Sequence, residues 1–187
     1  MKIIYLHGFN SDENSNTVIS LKKIINDLIG ISYDYIIPDL AHEKIKNTID
    51  AVLKIDKEII LVGTSLGAFW ANYFAQKYLL KCVLVNPSLY PWVSLTRCIG
   101  VNKNFNTGVD RILTESDVTA YKKYEMPIID GIIRIVVLGI KDDVINYKIT
   151  QEVFQNNSKI ILINAGHRIE NVENIAKIIM EVSDAHL

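Results

Sequence analysis

A chain of 187 residues suits one domain with a two-sided core, and with 49% apolar and 22% charged residues it is too apolar to stay disordered. The 20 Lys and Arg balance 21 Asp and Glu, so no basic excess points to nucleic acid or to an anionic membrane surface. The run Ile132 to Ile140, interrupted by Arg134, is too short to span a bilayer, and Lys2 precedes only Ile3 to Leu6 before His7, far short of a secretory signal. A cytoplasmic protein is expected, with Cys82 and Cys98 reduced.

Taken in chain order, Lys2 to Leu6 reads as a first strand, and Val18, Leu21, Ile25, Leu28 and Ile29 fall on one face of a helix. Ser32 to Ile37 reads as a second strand, followed by a helix with Ile45, Ile49, Val52 and Leu53 on its apolar face. Glu58 to Val62 is a third strand. The segment Leu66 to Leu80 is apolar nearly all round, with Phe69, Trp70, Tyr73, Phe74 and Leu79, and predicts the most buried helix. Cys82 to Val85, Ile132 to Leu138 and Lys159 to Ile163 complete six strands, and Val172, Ile175, Ala176 and Ile179 mark a last helix. Most strands are continuously apolar, which belongs to a sheet covered on both sides. Strand and helix in alternation predict a three-layer α/β domain over 1–187 with a mostly parallel sheet. From Ser88 to Met126 no period is visible, so this stretch reads as an irregular insertion or lid.

The chemistry-bearing pattern is Gly63-Thr64-Ser65-Leu66-Gly67, set between the third strand and the buried helix. A Gly-x-Ser-x-Gly turn in that context holds a serine hydroxyl above the sheet, with glycines where side chains would strike neighbouring backbone. Standing alone, a glycine-bracketed serine is as readily a helix cap. At the helix N-terminus, however, the Leu66 N–H is a natural donor to a developing oxyanion. His7-Gly8-Phe9-Asn10 follows the first strand, and Gly8 lets the Phe9 N–H turn toward the same place as a second donor. His7 itself reads as a packing residue, since that loop acts through its backbone.

A serine hydroxyl is a weak nucleophile and needs a base. Asp142 follows the fifth strand and His167 the sixth, giving the chain order serine, acid, histidine. His167 would accept the Ser65 proton and Asp142 would hold the imidazole in the required tautomer. Of the adjacent acids, Asp142 is preferred because Val144 could anchor its loop, and Asp143 is the alternative or a helix cap ahead of Ile145 to Phe154. His42 reads as an exposed residue opening the second helix, and His186 lies in the tail. No histidines or cysteines stand at metal-ligand spacing, and no glycine-rich loop matches a nucleotide pattern, so neither metal nor cofactor is expected.

These residues together resemble a known group, the small bacterial YqiA-like and YcfP-like α/β hydrolases. The similarity rests on Tyr5-Leu6-His7-Gly8-Phe9-Asn10-Ser11, Gly63 to Phe69, Val85-Asn86-Pro87, Asp142 to Tyr147 and Gly166-His167. It implies an α/β-hydrolase fold with a compact lid and an esterase cleaving acyl esters or thioesters, with Ser65, Asp142 and His167 as the triad. Tyr90 and Trp92 in the insertion are candidates for an apolar acyl pocket or for plain packing. Two other functions fit the same residues: a binding or scaffold protein on a retained fold, and an acyltransferase using an acceptor other than water. Oligomeric state is not legible.

Overall fold

A computed structural model describes residues 1–168 and 170–185. A parallel six-stranded sheet runs in the order β2-β1-β3-β4-β7-β8, with β1 Lys2–Leu6, β2 Leu28–Ile31, β3 Ile59–Thr64, β4 Lys81–Val85, β7 Arg134–Gly139 and β8 Lys159–Ile163. The two-residue period of these strands splits the core between the faces. Ile4, Leu6, Leu61, Leu84 and Val136 meet α2 Pro38–Leu53, α3 Leu66–Tyr78 and α6 Tyr147–Phe154. Ile3, Tyr5, Val62, Val83 and Val137 meet α1 Asn16–Ile24 and α7 Val172–Asp184. Strands apolar on both sides are thus covered on both sides.

Because β1 pairs with β2 on one side and β3 on the other, the connections leaving β1 and β3 run in opposite directions and open a crevice at their carboxyl ends. The loop after β1 and the turn after β3 border that crevice.

The second strand differs from the sequence reading. β2 is Leu28–Ile31, paired from Ile3↔Leu28 to Leu6↔Ile31, and 32–37 is irregular. Two local preferences override the β-prone composition there. The Asp34 carboxylate accepts the Ile36 and Ile37 N–H groups at 2.9 and 3.0 Å, bonds a ladder would otherwise need. Pro38 then takes the first helical position, where it loses no hydrogen bond, and fixes the start of α2. The helical face assigned to Leu28 and Ile29 also fails: α1 ends at Ile24, Ile25 is extended, and both residues lie in β2 beside β1.

The insertion is also more regular than expected. It holds α4 Pro91–Ser94, a β5 Gly100–Lys103 and β6 Asp110–Leu113 hairpin, α5 Glu115–Ala120 and two 3-10 turns. Each element is six residues or fewer, too short to show a period. α6 begins at Tyr147 and is capped by Asn146, not by Asp143. His42 is not exposed: its ring stacks on Phe74 at 5.1 Å and on Tyr124 at 5.0 Å. His186 lies outside the described residues. Cys82 and Cys98 are both free, with Cys82 buried in the core. Among the described residues no helix is long and apolar enough to cross a membrane.

Candidate active site

Ser65 sits between β3 and α3 with φ 54° and ψ −117°, a conformation that costs about 1–3 kcal/mol for a residue with a Cβ. Bonds from both sides hold it there: its N–H donates to the Val85 carbonyl at 2.9 Å, and its carbonyl accepts from Ser88 N at 3.1 Å as well as from the first turn of α3. The flanking glycines are steric requirements. A Cβ on Gly63 would lie 2.2 Å from the Gly67 carbonyl oxygen, and one on Gly67 would lie 2.0 Å from that of Leu6. Helix α3 therefore docks directly on the ends of β1 and β3.

The serine does not cap its helix. Ser15 caps α1 by accepting from Val18 N, whereas Ser65 Oγ makes no capping bond. Among the described residues its hydroxyl makes no hydrogen bond, and it stands at the positive end of a helix. The loop after β1 comes close, since a Cβ built on Gly8 would lie 3.5 Å from the Ser65 Cβ. Among the described residues, neither the Phe9 N–H nor the Leu66 N–H donates to a protein acceptor.

His7 is buried and fully engaged. Its Nδ1 donates to the Gly8 carbonyl at 2.8 Å, its ring stacks on Tyr33 at 4.2 Å, and the Tyr33 hydroxyl donates to its carbonyl. Burial lowers its pKa and favours the neutral ring. It shapes the loop that carries Phe9.

Beyond β4, the β7–β8 pairing continues past the strands, with Lys141 N donating to the Ala165 carbonyl at 3.0 Å. This brings two loops together: His167 Nδ1 lies 2.8 Å from Asp142 Oδ2. An ionised carboxylate only accepts, so Nδ1 carries the proton of this bond and Nε2 is turned away from the acid. The other oxygen, Asp142 Oδ1, accepts Val144 N and Ile145 N, each at 2.8 Å. Burial by itself would raise the Asp142 pKa; the His167 bond and the two loop N–H groups outweigh it and hold the carboxyl below its ordinary value. Asp143 is exposed and takes no part.

Asn86, which directly follows β4, joins the two halves. Buried at φ 44°, it donates from Nδ2 to the carbonyls of Gly166 at 3.1 Å and His167 at 2.9 Å, and its Oδ1 accepts Gly139 N at 2.8 Å. Its neighbour Val85 receives the Ser65 N–H, so the His167 backbone is pinned one strand away from the elbow. No hydrogen bond joins Ser65 Oγ to His167 Nε2, while the acid–imidazole pair is formed. The only sequence sign of Asn86 was an Asn-Pro pair ending a strand.

The β5–β6 hairpin reaches both loops. Phe105 N donates to the Asn10 carbonyl at 2.8 Å, Asn104 Nδ2 to the Ser11 carbonyl at 3.3 Å and Asn106 Nδ2 to Asp12 at 2.9 Å. On the other side, the Arg168 guanidinium lies 4.6 Å over the Phe105 ring. Of the two residues suggested for a pocket, Tyr90 lines a cavity along α3, whereas Trp92 is not among its walls and packs edge-on against Phe69 and Tyr90. Neither Ser65 nor His167 lines that cavity. Among the described residues no three His, Cys, Asp or Glu side chains gather as a metal site.

A parallel sheet with helices on both faces and a strained serine at the strand-to-helix turn defines an α/β-hydrolase fold. An α/β-hydrolase domain-containing protein 10 from mouse superposes with a TM-score of 0.76 at 14% identity, over 98% of this chain and 89% of its own. An esterase from Pyrococcus furiosus superposes with a TM-score of 0.69 at 17% identity, over 97% and 80%. The chain belongs to the uncharacterised protein family UPF0227, whose profile matches residues 2–183. A UPF0227 protein of Shewanella woodyi is 36% identical over 93 residues, 48% of this chain and 52% of that protein. UPF0227 protein YcfP of Escherichia coli K12 is 32% identical over 97 residues, 50% and 54% of the two. The alignments span about half the length of these curated relatives.

Proposed function

We propose that this protein is a serine esterase acting on acyl esters or thioesters through an acyl-enzyme. The observation that carries the reading is Ser65, held at positive φ with no capping bond on its hydroxyl, and a formed Asp142–His167 pair on loops leaving the same carboxyl end of the parallel sheet. Ser65 Oγ attacks the carbonyl carbon while His167 Nε2 takes its proton, and Asp142 stabilises the imidazolium as it forms. The Phe9 and Leu66 N–H groups receive the oxyanion, each such donor contributing about 2.7–4 kcal/mol to the transition state. The imidazolium protonates the leaving alkoxide or thiolate. Water, deprotonated by His167, then attacks the acyl-Ser65 carbonyl, and collapse releases the carboxylic acid and restores the serine. Likeness in fold to a known esterase supports the reaction class. Ser65→Ala should abolish hydrolysis of p-nitrophenyl acetate while leaving circular dichroism unchanged; full activity in that variant excludes Ser65 as nucleophile.

One observation favours a second reading. The absent Ser65–His167 hydrogen bond fits a binding or scaffold protein that keeps the fold without the reaction. Catalytic hydrogen bonds often tighten only once substrate is present, which reconciles the open serine with an esterase. On the scaffold reading, wild type hydrolyses no faster than Ser65→Ala.

A further inference from the structure

The residue after the proposed base carries a positive charge at a fixed place. The peptide that joins His167 to Arg168 is held by Asn86, whose Nδ2 donates to the His167 carbonyl at 2.9 Å. At the other end of the side chain, the guanidinium lies 4.6 Å from the centre of the Phe105 ring, and Phe105 N donates to the Asn10 carbonyl at 2.8 Å. Asn10 directly follows Phe9, whose N–H is the second proposed oxyanion donor. Arg168 thus spans from the loop of the base to the hairpin tip that rests on the oxyanion loop, fixed at both ends.

No acid neutralises it. On the same hairpin, Arg111 shows the contrast, its Nη2 reaching both oxygens of Asp34 at 3.2 and 3.0 Å. Acids on the loops that Arg168 joins are engaged elsewhere: Asp142 bonds His167 at 2.8 Å, and Asp12 accepts Asn14 N at 2.8 Å and Asn106 Nδ2 at 2.9 Å. Among the described residues Arg168 forms no ion pair. The phenyl ring occupies one face of the guanidinium and leaves its in-plane N–H groups, the edge that takes a carboxylate through two parallel bonds. A cation already ordered by stacking loses less freedom when it binds an anion.

In the proposed reaction the leaving oxygen takes its proton from His167 Nε2, so the alcohol part of the ester departs on the His167 side, beside Arg168. We propose that Arg168 is a specificity-determining residue that selects esters whose alcohol part carries a carboxylate. This assignment rests on the esterase reading of Ser65 and adds to it the charge of the preferred leaving group.

The test uses two acetate esters of matched shape, 4-acetoxyphenylacetate and 4-acetoxyphenylacetamide, which differ in a carboxylate against a neutral carboxamide on the departing phenol. Their kcat/KM values are each divided by the rate constant for hydroxide hydrolysis. Wild type at low salt should favour the carboxylate about fivefold, equivalent to about 1 kcal/mol for a partly exposed ion pair. The preference should fall toward parity in 1 M NaCl, where the Debye length is about 3 Å. Arg168→Gln should bring the two esters level, whereas a residue that only held the loops together would slow both alike and leave the ratio intact. Wild type that favours neither ester or prefers the amide overturns the assignment, as does a preference that survives in Arg168→Gln or in 1 M NaCl. The salt series in wild type decides by itself if the variant fails to fold. Equal hydrolysis of both esters removes the role of Arg168 and leaves the esterase standing; hydrolysis of neither above the Ser65→Ala rate removes the esterase and this assignment with it.

Discussion

Asn86 offers the sharpest perturbation, because one side chain holds three backbone groups from two loops. Asn86→Ala removes the bonds to the Gly166 and His167 carbonyls and leaves Gly139 N without its acceptor. At about 1 kcal/mol for each bond, with a further ~1–3 kcal/mol for a buried N–H left unpaired, the loss comes to about 4–6 kcal/mol of stability. Alanine at a positive φ adds to it. Asn86→Asp keeps an acceptor for Gly139 N and turns a carboxylate oxygen toward the two carbonyls, which repels the His167 loop. Displacement of a catalytic group by about 1 Å costs on the order of 100-fold in rate. Steady-state kinetics with p-nitrophenyl butyrate should therefore show kcat down about 100-fold in Asn86→Asp and KM nearly unchanged, with the protein folded by thermal melt. A folded Asn86→Asp with wild-type kcat refutes the role of Asn86 in holding His167.

Further outcomes follow from other parts of the site. Asn104→Ala frees one strap between the β5–β6 hairpin and the loop carrying Phe9; kcat should fall about tenfold with KM held, and an unchanged kcat dissociates the hairpin from that loop. The Asp142 pKa is depressed in the fold, so the stability it contributes is present above the ordinary carboxylate value of 3.8 and is lost as pH falls through the lower, folded value. Denaturation curves of wild type and Asp142→Asn should therefore converge in acid, and a gap constant down to pH 2 contradicts the assignment. Burial pushes the Cys82 thiol up to about 12, so native protein should react with DTNB at Cys98 alone; two fast equivalents would mean the core opens.

The elbow was legible because its chemistry is written into adjacent residues. Gly63 and Gly67 admit no Cβ against the backbone of Gly67 and Leu6, so the steric demand of the fold appears directly as sequence. Asp142 and His167 could be read from their places after apolar strands, since strand order fixes which loops meet. Asp142, and not Asp143, lies against His167, in the turn that Val144 and Ile145 close on Asp142 Oδ1. What escaped was set by short range or by long range alone. β2 was misplaced because Asp34 and Pro38 override the β-prone residues around them. The hairpin hid because four-residue strands carry no period. Asn86 and Gln76 act through partners 50 or more residues away, and nothing in their own neighbourhood announces that.

The central claim is that the Ser65 hydroxyl is a nucleophile made reactive by His167, and covalent capture tests it most directly. Folded protein is treated with a fluorophosphonate and the adduct located by peptide mass spectrometry. One phosphonyl group on Ser65, absent in His167→Ala under the same exposure, is the outcome this structure predicts. Folded wild-type protein that stays unlabelled at Ser65, or that labels equally well without the imidazole, would contradict it.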